Sequence, residues 1–502
     1  MPSVSAAPPV MSARAWALLL VLCGTIFLEG IDIAMLAVAI PSIRSDLALT
    51  TDTAAWVMSG YVLGYAGFTL LGGRTADLLG RRRTFLVALT VFLLFSGLGG
   101  FAGEGWMLVV ARFATGVAAA FMTPAALSII TTSYAEGPQR NKALLVFAGT
   151  GAGGFSLGLV IGGLLTELGW RWVFFAPVLL AGALLVAAFR VLPREEPPAP
   201  TGEETGKRGF DLPGATAAAG AMLLLAYGIV RLEHGTEDWL RTAGVFAAGL
   251  LLLGLFVVIE RRAAAPLVRL GIFRRAAMVR ADLGALLFVG SFFGFQFVVT
   301  LYLQELRGWS SLETALALVI MGCDAVLAPT LTPRLVNRFG NARVILGGFL
   351  LGIVSYGLFL PVGLDWSYAA MFPTLILTGV AFALAYGPLT IAATDGVAAE
   401  EQGLAGGLLN TAIQFGSAVG ISAVAAVYGI AVSGTDGSAE ARTAAFRTAL
   451  TVPLVMVVLG ALITLSGLLG RKPGGKSGRK PGGKPGRTAD ALPAARSAEP
   501  VR

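Results

Sequence analysis

Apolar residues in this chain come in long unbroken blocks, and polar residues gather in the gaps between them. The blocks run to roughly 19–28 residues, the length at which a helix crosses a hydrocarbon core of about 30 Å. A segment inside a bilayer must satisfy its own backbone, so only helices or a closed barrel can span. Barrel strands alternate polar and apolar residues with period two. These blocks do not alternate, so the pattern predicts an all-α integral membrane protein. Fourteen spans are expected. Six lie at roughly 15–40, 53–73, 84–102, 106–133, 142–166 and 172–191. A middle pair follows at 213–231 and 241–260, and a last six at 280–303, 312–333, 343–361, 368–394, 403–432 and 446–470.

Composition agrees. Of 502 residues, 56% are hydrophobic and 13% charged, against about 25% charged in soluble domains. The 66 glycines would weaken soluble helices, but small residues let membrane helices approach closely. Cys23 and Cys323 sit inside apolar blocks and read as small core residues, with no disulfide framework and no metal site. His234, in a short polar loop, carries no assigned role. The first apolar block is too long for a signal peptide, and no small-residue cleavage site follows it.

Lys and Arg gather on the cytoplasmic side of membrane proteins. With the N-terminus inside, 29 of the 37 basic residues fall in inside segments, 7 fall outside and Arg112 lies within a span. Both termini are therefore expected in the cytoplasm, and the net charge of +8 calls for no nucleic-acid partner. The expected organisation is an N-tail (1–14), a six-helix bundle (15–192), a polar linker (193–212), two extra helices (213–260), a basic linker (261–279), a second six-helix bundle (280–470) and a tail (471–502). The stretch 471–487 repeats Lys-Pro-Gly-Gly and is too polar to fold alone. It reads as a disordered basic tail, with attraction to anionic lipid as the sharper reading.

One short basic stretch, GRTADLLGRRR (73–83), joins spans 2 and 3. Gly73 and Gly80 are expected to allow a tight turn, and Asp77 lies amid Arg74, Arg81, Arg82 and Arg83. Asp77 with these arginines can act as an ionic latch on the cytoplasmic face. Exposed pairs are worth only about 0–1 kcal/mol each, so a latch needs a network or partial burial. The stretch recurs: Arg74, Asp77, Gly80 and Arg83 match Arg334, Asn337, Gly340 and Arg343 at a constant offset. Repeated halves are a known transporter plan, with the substrate site between them.

This stretch resembles the signature loop of the major facilitator superfamily. Further motifs are similar to its fourteen-span drug:proton antiporter subfamily. They are IDIAMLAVAIP (31–41), Arg112 with Gly116, GFSLGLVIGG (154–163), WRW (170–172), GFDLPGA (209–215), ERRAAAPLVRLGIF (260–273), YLQELRGWS (302–310) and GLAGGLLNTAIQFG (403–416). Ala34 and Ala37 stand where Thr and Asn are usual, Thr115 where Gln is common, and Leu159 where the antiporter motif has proline. The resemblance implies the major facilitator fold, two six-helix bundles plus two central helices. It also implies a monomeric multi-pass protein of the plasma membrane that exports small molecules against protons, with no cofactor.

Charged groups inside a membrane cost about 2.5–3.5 kcal/mol on insertion scales and usually carry function. Glu29 and Asp32 lie three apart on one face of span 1, where two carboxylates resist simultaneous ionisation. One that holds a proton can exchange it for a cation; the motif supports Asp32. Either can instead be paired with a polar neighbour. Arg112 is expected to bias a neighbouring carboxylate toward its charged form. Asp324, midway along span 10, is a second-half acid. Gln296, Asn410 and Gln414 are candidate cavity residues, with helix–helix hydrogen bonding as their alternative use. Gly154, Gly158 and Gly162 form a stripe on span 5, beside Gly163, that permits close contact with a helix expected from the other half.

The leading functional reading is proton-driven export of lipophilic, often cationic compounds. A dedicated exporter of one endogenous metabolite or antibiotic is the alternative, and a non-transporting receptor or scaffold a more distant one. No P-loop, metal-ligand spacing or nucleophile elbow suggests an enzyme.

Overall fold

The computed structural model describes residues 11–193, 211–231, 239–263, 266–433, 435 and 438–469. Most of the polar linker, His234 and the 471–487 tail lie outside the described residues. Among the described residues every regular element is helical. The first half comprises α1 (Ala13–Asp46), α2 (Thr51–Leu79), α3 (Arg81–Gly100), α4 (Gly105–Ser133), α5 (Pro138–Leu168) and α6 (Trp172–Val191). The middle pair is α7 (Leu212–Arg231) and α8 (Trp239–Arg262). The second half comprises α9 (Ala276–Leu301), α10 (Ser311–Leu318), α11 (Asp324–Thr330), α12 (Thr332–Phe339), α13 (Asn341–Phe359), α14 (Tyr368–Thr394), α15 (Gln402–Val432) and α16 (Ala439–Leu469). Thirteen segments among the described residues are long and apolar enough to cross a membrane. α2, 29 residues long, is packed among them.

The tenth span is not one helix, as expected over 312–333. α10 tightens into a 3-10 turn at Val319–Cys323, then α11 and α12 follow with a break at Leu331. Pro329 and Pro333 remove backbone donors there. Gly379 of α14 presses on the Met321 carbonyl at the 3-10 turn. The basic stretch 73–83 is also not a loop. Gly73 lies within α2, Gly80 alone makes the turn (φ 98°), and Arg81 opens α3. The missing side chain of Gly73 serves packing instead of a turn, letting α2 approach the backbone of Gly403 and Gly407 on α15. The second copy turns the same way, at Gly340 (φ 84°), between α12 and α13.

In the first half α1 packs on α5 and α6, and α4 on α2 and α3; in the second α9 packs on α15 and α16, and α13 on α14. The halves meet along α2–α15 and α5–α11. α7 lies on α2, with α8 outside it. Leu250, Leu251 and Leu255 of α8 are exposed, as a lipid-facing helix requires. At the end of the first half away from the basic turns, the Trp170 indole (2.8 Å) and the Arg171 guanidinium (3.1 Å) both donate to Asp46. The WRW segment thereby ties the end of α1 to the start of α6.

The glycine stripe of α5 faces inward, contrary to expectation. Gly154 packs on Phe27, Gly158 on Ile31 and Ala34, and Gly162 on Met35, all on α1 of the same half. It is the other side of α5, at Gly149 and Gly153, that meets Ala328 and Ala325 of α11. With four-residue spacing on a nearly straight helix, one stripe can serve only one neighbour, and α1 takes it. Gly163 has only the tip of Leu312 nearby, at 3.9 Å from where a Cβ would sit.

A Cβ at Gly158 would come within 2.8 Å of the α1 backbone at Ile31. Gly158→Ala should therefore cost about 1–3 kcal/mol by overpacking, while Gly163→Ala should be neutral. Thermal melting of the two purified variants checks this; equal melting temperatures would refute the seam.

Candidate functional site

Two groups of polar residues occupy the interior: a set of carboxylates deep in the first half and a network at the basic end. In the deep set, Glu29 and Asp32 leave the same face of α1 but take different partners. Asp32 Oδ2 accepts from the Arg112 guanidinium of α4 at 2.5 Å. That guanidinium lies over the Tyr61 ring of α2, 4.6 Å from its centroid. Glu29 accepts from the Tyr65 hydroxyl of α2 at 3.0 Å and from the Thr123 hydroxyl of α4. All six of these residues are buried. The Arg112 Nε and the Tyr61 hydroxyl have no hydrogen-bond partner.

The chemical consequence is a division of labour. Asp32 and Arg112 form a buried ion pair, so each charge has its counter-charge at contact distance. Glu29 is held only by neutral hydroxyls, so adding a proton to it changes the net charge of the site. Of the two carboxylates expected on this face, Asp32 is the one paired with a cation and Glu29 the one bonded to neutral hydroxyls.

Asp324 opens α11 just after the 3-10 turn and is buried. No ion pair to it occurs among the described residues. Glu29 and Asp324 are thus buried acids of opposite halves. Gln296 of α9 presents a buried amide oxygen without a partner. Asn410 donates its amide to the Gly406 carbonyl of its own helix at 2.9 Å. At Gln414 only the backbone carbonyl is engaged, by Ser417.

At the basic end Asp77 reaches across the halves. Its two carboxylate oxygens accept from the backbone N–H groups of Gly403 and Leu404, each at 2.9 Å. These donors belong to the first turn of α15, where a helix leaves N–H groups unsatisfied and its dipole favours an anion. Arg81 donates to the Ala399 carbonyl and lies 3.7 Å from Asp77. Arg74 donates to the Pro266 carbonyl at 3.3 Å, and Arg82 to Phe189 within the first half at 3.2 Å. A second set of bonds flanks the first. The Arg140 guanidinium donates to Glu136 and to the Thr394 carbonyl, and Glu136 accepts from the Gly396 N–H at 3.1 Å. Burial pushes the nearby Asp395 carboxyl up, and Arg140 partly offsets this. The basic end is thus closed. Asn337, the counterpart of Asp77, is exposed.

Sequence reasoning did not single out Tyr61, Tyr65, Thr123 or Asp282, whose Oδ1 is buried on α9 without a partner. Tyr61 and Tyr65, four apart on one face of α2, were a usable signal; Thr123 offered none. An apolar groove of about 450 Å³ lies outside the first bundle between α2, α4 and α7, with Trp56, Phe113 and Tyr227 on its walls. None of the acids lines it. No cluster of three metal-ligating side chains occurs among the described residues.

Two repeated halves closed at one end over buried carboxylates define a membrane transporter of the two-bundle type. The chain belongs to the Major Facilitator Superfamily, whose sequence profile matches residues 22–421. It is 35% identical to the cephamycin export protein CmcT of Amycolatopsis lactamdurans, over 84% of this chain and 86% of that one. It is 33% identical to the puromycin resistance protein pur8 of Streptomyces alboniger, over 91% and 94%. It is 29% identical to the tetracenomycin C resistance and export protein of Streptomyces glaucescens, over 82% and 75%. Among solved structures, the human organic anion transporter MFSD10 superposes with a TM-score of 0.62 at 16% identity, covering 89% of this chain and 97% of that one. The proton:xylose symporter XylE gives 0.61 at 18%, covering 90% and 95%. At such identities these neighbours speak to the fold alone.

Removing one member of a buried ion pair typically costs about 3–5 kcal/mol. Arg112→Met should therefore lower the melting temperature sharply, and adding Asp32→Asn should recover much of the loss. If the double variant melts no higher than Arg112→Met, the pair is not what holds α1 to α4.

Proposed function

We propose that this protein exports small lipophilic compounds, often cationic, by proton antiport with alternating access. The observation that carries the reading is Glu29, a buried carboxylate within a span and without a cationic partner of its own. Such a group binds a proton or a cation but not both, because either one satisfies its charge. Asp32 with Arg112 holds the frame around it, and Asp324 adds an acid from the second half. Gln296 and Gln414 are assigned to the cavity wall. The gradient supplies the energy, and no cofactor takes part. The excess of Lys and Arg in the segments expected inside supports a plasma (cell inner) membrane protein with both termini in the cytoplasm, acting as a monomer. In that orientation the Asp77–α15 contact closes the cytoplasmic side.

Transport, not an enzymatic reaction, is the work of the family. A second reading, export of one self-made antibiotic, has a specific basis: two of the relatives are named as export proteins for a single antibiotic, cephamycin or tetracenomycin C. The two readings share a mechanism and differ in breadth.

Inverted vesicles with an acidic lumen test both. Adding a transported compound should dissipate the proton gradient, and a broad drug panel separates a multidrug exporter from a dedicated one. Glu29→Gln should reduce both substrate uptake and gradient loss to the level of vesicles lacking the protein. Full coupling in that variant would remove Glu29 from the mechanism.

A further inference from the structure

The motif that follows α8 takes no part in the mechanism above, yet it lies across the closed end of the molecule. Glu260, in the last turn of α8, is buried, and its two oxygens accept from the backbone N–H groups of Leu267 (3.2 Å) and Val268 (3.1 Å). This bond pair folds the chain back on itself immediately after the helix. Gly214 fits here for a reason: a Cβ on it would sit 2.8 Å from both the Glu260 Oε1 and the Asp211 carboxyl carbon. Asp211 itself accepts from the Gly214 N–H at 2.9 Å, capping the start of α7. The start of α7 at Asp211–Gly214 and the residues Leu267–Val268 after α8 therefore meet at one carboxylate.

From that anchor the chain touches both halves. The Pro266 carbonyl accepts from Arg74 of α2 at 3.3 Å. Arg269 pairs with Glu401, just before α15, at 3.5 Å. Arg275 donates to the Gly396 carbonyl between α14 and α15. Leu267, Val268 and Ile272 are buried against Leu70 of α2, Phe256 of α8 and Leu404 of α15. Leu404 is also a residue whose N–H binds Asp77.

We propose that residues 266–275 form a strap, hung from Glu260, that holds the basic end shut together with Asp77, and that Glu260 is the positioning residue of this gate. The inference rests on the alternating-access reading given above. Opening the basic end must separate α2 from α15, and the strap is bonded to both. Glu260 touches no substrate; it acts by presenting the Pro266 carbonyl to Arg74 and the apolar side chains to the seam. On this view the extra helix pair carries a clamp into the gate that two six-helix bundles alone would lack.

Distances between spin labels test the strap without any substrate. Labels at Arg190→Cys and Arg338→Cys report the basic end, and labels at Leu168→Cys and Asp365→Cys report the opposite end, in a background with Cys23→Ala and Cys323→Ala. Losing two hydrogen bonds to a charged group should raise the long-distance population at the basic end about five-fold or more in Glu260→Ala. Asp77→Asn serves as the positive control. An unchanged distribution in Glu260→Ala, beside a lengthened one in Asp77→Asn, would overturn the strap, as would equal broadening at both ends. Should Glu260→Ala fail to reach the membrane, Glu260→Gln, which keeps the side-chain volume but removes the charge and one of the two acceptors, decides by the same criterion. A chain that moves no substrate at all but shows the Glu260 effect would sink the transport reading and leave the strap standing.

Discussion

A carboxylate taken out of water is stabilised by donors or a counter-charge, and much of this structure is organised by where four of them find theirs. Asp32 takes a guanidinium, Glu29 takes two hydroxyls, Asp77 takes the open end of a helix, and Glu260 takes two N–H groups of a folded loop. Each partner lies on a different element from the acid it serves. The four acids thereby tie α1 to α2 and α4, α2 to α15, and α8 to the chain that crosses both halves. In a medium where apolar packing gives no preference for one helix neighbour over another, such bonds choose the neighbours.

The same constraint explains why the repeat is imperfect where it matters. Gly80 and Gly340 make the same left-handed turn at equivalent places, so the backbone repeat is kept. The acid is not. Asp77 is buried against the start of α15, while Asn337 stands exposed. A neutral amide offers a helix N-terminus much less than an anion does. The closure at the basic end is therefore held from one side, by the first half gripping the second.

Much of this was legible in the residues. Block length gave the helices, and the constant offset between the two basic stretches marked two turns of the same shape, at Gly80 and Gly340. The chemistry of the site was only half legible. Spacing put Glu29 and Asp32 on one face, but which of them is compensated depends on Arg112 arriving from a helix 80 positions away. The stripe on α5 was visible, but its direction was not, because periodicity says which residues share a face and nothing about which helix that face meets. The break in the tenth span has its prolines in plain view. The close approach of α14 to the Met321 carbonyl, which Gly379 permits, is a long-range contact that no local pattern encodes.

One helix joins the site to the gate. α2 carries Tyr61 and Tyr65, which line the carboxylates, and Gly73 and Asp77, which meet α15. Tyr65 and Asp77 are twelve residues apart, about 18 Å along one continuous helix. Energetic coupling between distant sites requires an element whose position both of them bias. Glu29 holds Tyr65 as an acceptor, and a proton on that carboxylate competes for the oxygen lone pairs that do the holding. Asp77 holds the far end of the same rod against α15. Under the proposed antiport, a change of charge at Glu29 would act on an element already clamped at its other end, with no path needed through the loops between them.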